Sequence, residues 1–382
     1  MKTNLARSLC TLSTLLALIL PAAAAEDASA KTRAVMRDVF DAIAYLLPLS
    51  LRGNQGATPD EALVNAKLDV LTASAKALAD HAGDKDREFG LLARSFEHGT
   101  QDIRRAFDTR YPAFASYALM DLTQHCAACH SRLPDQHENV FGQRLMARMN
   151  VDGLAREELA QLYVATRQFD HALEVYEKVL LDRGEDPIDL DLAGVLVEYM
   201  RVSIGVRQDF ARPRQFLKQF LGRPDLPFYL RQRLQAWDKR MAALGPDLAA
   251  TPSLALGRRI FASATAETPA PEGRERVIDD VVAASVLRRY LQDQPRAPAT
   301  ERAEAYYLLG VIVLRTTGSR PLVPEMELLF EAAIRTAPNG QFARTAYALL
   351  EEYGFVNQQH LARTGTDPAF IDMPALRRLI GI

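Results

Sequence analysis

Apolar residues in this chain recur three and four positions apart almost throughout, and no long stretch alternates polar with apolar. Both features predict helices rather than strands. The first helix follows Asp27 or Thr32 and runs through VMRDVFDAIAYLLPL, with Val35, Val39, Ile43 and Leu47 on its apolar face. LRGNQGATPD interrupts it. Thr58-Pro59-Asp60-Glu61 then predicts an N-cap, a proline in the first helical position and a capping-box glutamate, opening a helix to about His81. AGDKD reads as a turn with Asp84 as a cap. A third helix, REFGLLARSFEHGTQDIRRAF, buries Phe89, Leu92, Phe96, Ile103 and Phe107. Tyr111-Pro112 starts a fourth, through FASYALMDLTQHCAACHSRL.

After LPDQHENV the helical period continues in another form. REELAQLYVATRQFDHALEVYEKVLLDRGEDP resembles a tetratricopeptide repeat, with Leu159, Tyr163, Phe169, Ala172, Tyr176 and Leu180 at packing positions and Ala160 in place of the usual glycine. A second copy, AEAYYLLGVIVLRTTGSRPLVPEMELLFEAAIRTAPNG, places Tyr306, Leu309 and Gly310 on its first helix and Phe330 and Ala333 on its second, with Pro338 closing it. LDLAGVLVEYMRVSIGVRQDFARPRQFLKQFL is a weaker copy. Further helices run through PFYLRQRLQAWDKRMAAL, SLALGRRIFA and VIDDVVAASVLRRYLQD, TAETPAPEGRER is a linker, and QFARTAYALLEEYG is the closing helix. One helical hairpin cannot bury its apolar face alone, so such repeats stack into a continuous core. The expected fold is all-α, a four-helix bundle followed by about five or six hairpins. Residues 1–25 form a signal peptide, 26–140 the bundle and 150–382 the repeat domain.

The signal peptide is read from MKTNLARSLCTLSTLLALILPAAAAEDASA. Lys2 and Arg7 precede an apolar run from about Leu9 to Leu20, then Pro21 and alanines, with cleavage expected after about Ala25. The run is too short for a membrane anchor, and no other apolar run reaches the ~18 residues of a membrane-spanning helix. Export to the periplasm follows. The formal net charge of −2 becomes −4 when Lys2 and Arg7 leave, so bulk electrostatics give no support to nucleic-acid or anionic-membrane binding.

Export makes the cysteines informative. Of three, Cys10 leaves with the signal peptide, and Cys126 and Cys129 remain, both within HCAACH. Cys126-Ala127-Ala128-Cys129-His130 matches the attachment motif for c-type haem. On a helical turn the two sulfurs share a face and reach the two vinyl groups on one porphyrin edge, while the next imidazole offers a nitrogen to iron. Three other readings fit the bare motif less well. A redox dithiol wants a βαβ context, a zinc site wants a second Cys pair that does not exist and finds poor spacing in His125, His130 and His137, and a disulfide here closes too short a loop to stabilise much.

Four helices with the motif near the end of the last one resemble the class II c-type cytochromes, that is cytochrome c prime and its low-spin relatives. The resemblance covers about residues 30 to 135. It implies thioether links at Cys126 and Cys129 to one covalently attached haem c, with His130 as the proximal ligand. Low-spin members draw a sixth ligand from a methionine of the first helix, matching Met36 here; high-spin members leave that position open. Met36 on an apolar face also reads as ordinary core filler. Met120 shares the motif's helix and is badly placed to cross the ring, which leaves Met146 and Met149 as the next candidates. His125 reads as solvent-facing or propionate-side, and Arg33 and Arg37 as candidate propionate partners. His81, His98, His137, His171 and His360 show no ligand pattern.

The expected function is electron transfer by an exported mono-haem cytochrome whose repeat domain docks a periplasmic redox protein or enzyme. Alternatives are a five-coordinate gas-binding or sensing protein and a helical-repeat scaffold with a structural haem. Peroxidase-like catalysis needs a distal acid–base pair, and the first helix has no histidine to provide one. Members of the resembled family often form homodimers through the bundle, a contact the extra repeat domain could prevent or replace.

Overall fold

The computed structural model describes residues 31–47, 60–82, 87–108, Leu119, Leu122, His125, Cys126, Cys129, His130, 140–147, Met149, Val151, 154–192, 194–266, 274–317, 324–364 and 371–382. Among these residues there is no strand, and no helix is long and apolar enough to cross a membrane. The signal-peptide reading, Thr58, Pro59, Asp84, Tyr111, Pro112, Met120 and His137 lie outside the described residues.

Helix α1 spans residues 31–47, α2 Glu61–Ala82 and α3 Arg87–Asp108. At the start of α2 the carboxylate of Asp60 accepts from the amides of Ala62 at 3.0 Å and Leu63 at 3.2 Å, satisfying two of the orphan donors there. Leu119, Leu122, His125, Cys126, Cys129 and His130 are all helical and are referred to together as α4. Val39, Ala42, Ile43, Leu46 and Leu47 of α1 pack with Leu68 and Leu71 of α2, Phe96 and Ile103 of α3, and Leu119 and Leu122 of α4. This single apolar core is the one the 3.6-residue period predicted for the N-terminal part of the chain.

The second part begins with α5 (Val140–Met146), α6 (Arg156–Ala165), α7 (Phe169–Leu181), α8 (Pro187–Leu192) and α9 (Val195–Met200). A π-helical turn, Arg201–Val206, extends α9. There follow α10 (Ala211–Phe220), α11 (Phe228–Ala249), α12 (Leu254–Ala266), a 3₁₀ turn at Arg274–Arg276, α13 (Val277–Asp293), α14 (Ala299–Thr317), α15 (Pro324–Thr336) and α16 (Gln341–Thr364). The expected closing helix, α16, is followed by α17 (Met373–Ile380), whose Leu376 and Ile380 are buried in the same core. Helices next to each other in sequence pair most extensively, α6 with α7, α12 with α13, and α14 with α15. Phe169, Ala172, Tyr176 and Leu180 are buried in the first of these pairs, and Leu309, Phe330 and Ala333 in the last.

Arginines bind successive hairpins together. Arg223, almost wholly buried, donates to the carbonyls of Leu180, Asp182 and Glu185 at 2.7–2.8 Å and to the carboxylate of Asp225. It thereby satisfies the end of α7, whose last carbonyls have no helical partner. Asp191 of α8 receives both Arg233 and Arg274, and Asp279 of α13 receives Arg240. The two parts of the chain also touch. Leu92 of α3 belongs to the larger C-terminal core, α3 packs on α15, and Leu162 of α6 belongs to the N-terminal core.

Candidate functional site

The motif lies where these two cores meet. Cys126 is half-buried against the N-terminal core, and Cys129 is half-buried against the C-terminal one. Neither forms a disulfide, and both are helical and three residues apart, the spacing that places two side chains on one helical face. Burial pushes the Cys126 thiol up to about 12, with the neighbouring Cys129 adding to the effect. A redox dithiol or nucleophile needs the reverse, an exposed thiolate held at low pKa. Among the described residues there is no strand to form the βαβ setting of such a dithiol. Among the described residues no three of His, Cys, Asp and Glu gather to hold a metal ion, which leaves the pair without the companions of a structural zinc site.

His130 is anchored from α6. Its Nδ1 contacts the carbonyl oxygen of Ala165. A carbonyl oxygen only accepts, so Nδ1 must carry the proton and Nε2 keeps its lone pair. Burial lowers the basicity of His130, the Ala165 carbonyl raises it, and the nearby Arg167 cation lowers it again, with a net downward shift. The ring is therefore neutral at neutral pH, which is the ligand form of imidazole. Two cysteines three apart on helical backbone and one imidazole whose Nδ1 contacts a carbonyl are the residue types and spacing that a covalently attached haem requires.

Other residues hold this corner together. Gly99 of α3 lies under α4, and a Cβ there would come within 3.2 Å of Leu122 Cδ1 and 3.5 Å of His125 Cε1. The absent side chain lets α3 and α4 approach, and His125 rests half-buried on α3. Gly142 of α5 sits against the end of α6, where a Cβ would overlap the carbonyl oxygen of Thr166.

Met36 is half-buried against the core that also receives Cys126. Met146 packs on the same core, and Met149 is buried within it. Met146 also lines a cleft of about 480 Å³ with Gln143, Val151, Tyr163, Gln168 and His171. Arg33 and Arg37 are exposed on α1. His171 is exposed and stacks on Tyr163 at 5.5 Å, and His98 lies 3.6 Å from Asp102, so each has a local role apart from the motif.

Two residues of this site carried no signal in the sequence. Ala165 acts through its backbone oxygen, which every residue possesses. Arg167 has φ of 60°, the left-handed region rarely taken by a residue with a Cβ, and its guanidinium is close enough to His130 to disfavour the charged ring. Comparison of the chain with protein-family models, curated proteins and solved structures finds no match, so the resemblance to class II cytochromes rests on the motif and its helical setting.

Proposed function

We propose that this protein is an exported mono-haem c-type cytochrome that transfers electrons, with a helical-repeat region that docks a periplasmic redox protein or enzyme. The observation that carries the reading is His130, whose Nδ1 contacts the Ala165 carbonyl oxygen, next to two helical cysteines three residues apart. Cys126 and Cys129 would hold haem c through thioethers, and His130 would be its proximal ligand, with Met36 the candidate for the opposite side. When bound, the haem supplies one-electron chemistry between ferric and ferrous iron.

The chain's own contribution is to orient and to shield. Thioethers at Cys126 and Cys129, within one helical turn, would hold the haem against α4. The junction of two apolar cores keeps water from the proximal imidazole, and burial of a charged iron centre is one of the levers that sets a reduction potential. Paired helices behind the site resemble tetratricopeptide hairpins, and stacked hairpins leave a surface suited to a partner segment. Among the described residues Leu192, Phe228 and Tyr229 expose apolar surface on α8 and α11.

The test is a pair of visible spectra, ferric and ferrous, of mature protein made with haem-ligation machinery, together with its intact mass. A c-type spectrum that survives acid–acetone extraction and one added haem are expected. A colourless protein with two free thiols would end the reading. Ready binding of CO to the ferrous form would replace electron transfer with gas binding.

A further inference from the structure

We infer that the last turn of α6 is the positioning group for His130, so that the helical-repeat part of the chain, not only the bundle, sets the reduction potential. This rests on the haem reading given above.

The carbonyls of that turn divide their partners unequally. The Leu162, Tyr163 and Val164 carbonyls accept from the backbone amides of Thr166, Gln168 and Arg167 at 3.0, 2.8 and 3.0 Å. This is the paired pattern of a Schellman closure, with Arg167 in the left-handed position usually given to glycine. The Ala165 carbonyl is instead taken by the His130 ring. Arg167 holds its costly backbone conformation only because the surrounding hydrogen bonds impose it. Thr166 and Gln168 add to this: the Thr166 hydroxyl donates to Leu162 at 2.9 Å, and the Gln168 amide donates to the Thr166 hydroxyl at 2.9 Å. Gly142 closes the turn from the α5 side.

α6 is also the element that joins the two cores. Leu162 is buried in the N-terminal core, while Ala160 and Val164, on its other sides, are buried in the C-terminal one. A movement of α6 against its neighbours therefore moves the oxygen that holds His130. An imidazole that donates Nδ1–H to a carbonyl is a more basic ligand through Nε2, and a more basic ligand favours ferric iron. The hydrogen bond from α6 thus lowers the potential, and loosening it raises the potential.

Two measurements on the full-length chain test this. In the haem-free Cys126→Ala/Cys129→Ala variant, long-range ¹H–¹⁵N spectra should show His130 protonated on Nδ1 alone. A ring protonated on Nε2, or an equal mixture, overturns the inference whatever the haem content of the wild type. In the holoprotein, Gly142→Ala crowds the Thr166 carbonyl, and Arg167→Pro dismantles the closure outright because proline cannot adopt positive φ. Whichever of the two variants displaces the His130 Nδ1 resonance should raise the midpoint potential while the haem stays attached. A displaced resonance with an unchanged potential overturns it. Failure to find haem by mass would instead defeat the proposed function and leave the tautomer result standing.

Discussion

Gly310→Ala adds one carbon atom at the closest approach of α14 and α15. A Cβ built there falls 2.6 Å from Cε1 and 2.7 Å from Cδ1 of Phe330. Carbon atoms meet comfortably at about 3.5–4.0 Å, so the ring must retreat by roughly 1 Å. It has little room, because Phe330 is wholly buried and Tyr307 stands with its ring centroid 6.0 Å away. Forcing extra carbon into a packed core costs about 1–3 kcal/mol, and an overlap this deep belongs in the upper part of that range. Alanine returns about 1 kcal/mol through its better helix propensity. The net expectation is a loss of about 1–2 kcal/mol, measured as a lower midpoint in urea with an unchanged slope. Phe330→Leu removes the obstructing ring, so it should cost less in the Gly310→Ala background than in the wild type, with a coupling of about 1 kcal/mol. A Gly310→Ala protein as stable as the wild type, or additive effects in the double variant, would refute the packing argument. Ala160, fully buried in α6, shows how the first hairpin accommodates the Cβ that Gly310 must lack.

Four further outcomes are expected. Asp280 is almost fully buried, and burial raises its carboxyl from 3.8 to about 6 despite the Arg315 and Arg276 cations nearby. The folded chain thus keeps a proton that the unfolded chain has lost, so this group favours folding at acid pH and loses that contribution as pH climbs through about 6, by about 3 kcal/mol. Denaturant titrations from pH 4 to 8 should give a flatter profile for Asp280→Asn; an unaltered slope would remove Asp280 from the account. Arg223→Ala leaves carbonyls at the end of α7 without their donor and should cost about 1–3 kcal/mol, with Arg223→Lys recovering only part because an ammonium lacks the planar fan of donors. Asp60→Ala should lower stability by about 0.5–2 kcal/mol through loss of the α2 cap. Met36→Ala in the holoprotein should turn a six-coordinate spectrum into a five-coordinate one, and an unchanged spectrum would direct attention to Met146.

Periodicity alone placed the helices of the N-terminal part, because burial of one face is a local property of the sequence. Phe89, Leu92, Phe96, Ile103 and Phe107 all lie buried or half-buried on α3 as their spacing required. Cap assignment was less secure. Thr58 and Asp60 both have side chains able to cap, and the choice depends on which residue takes extended backbone where the chain enters α2. The existence of α17 was hidden by weak patterning in a short segment, yet Leu376 and Ile380 find a buried place once α15 and α16 are in position.

The sequence by itself determined the chemistry available at the site: two thiols three apart, an imidazole directly after them, and a helix to carry all three. These are covalent facts of neighbouring residues, and their spacing survives any arrangement of the rest. Only the tertiary structure decided which nitrogen of His130 meets a backbone oxygen, because that oxygen belongs to Ala165, thirty-five residues away on another helix. Backbone carbonyls are identical in every sequence, so the one that matters is chosen by packing, here by the fit of α6 between two hydrophobic cores.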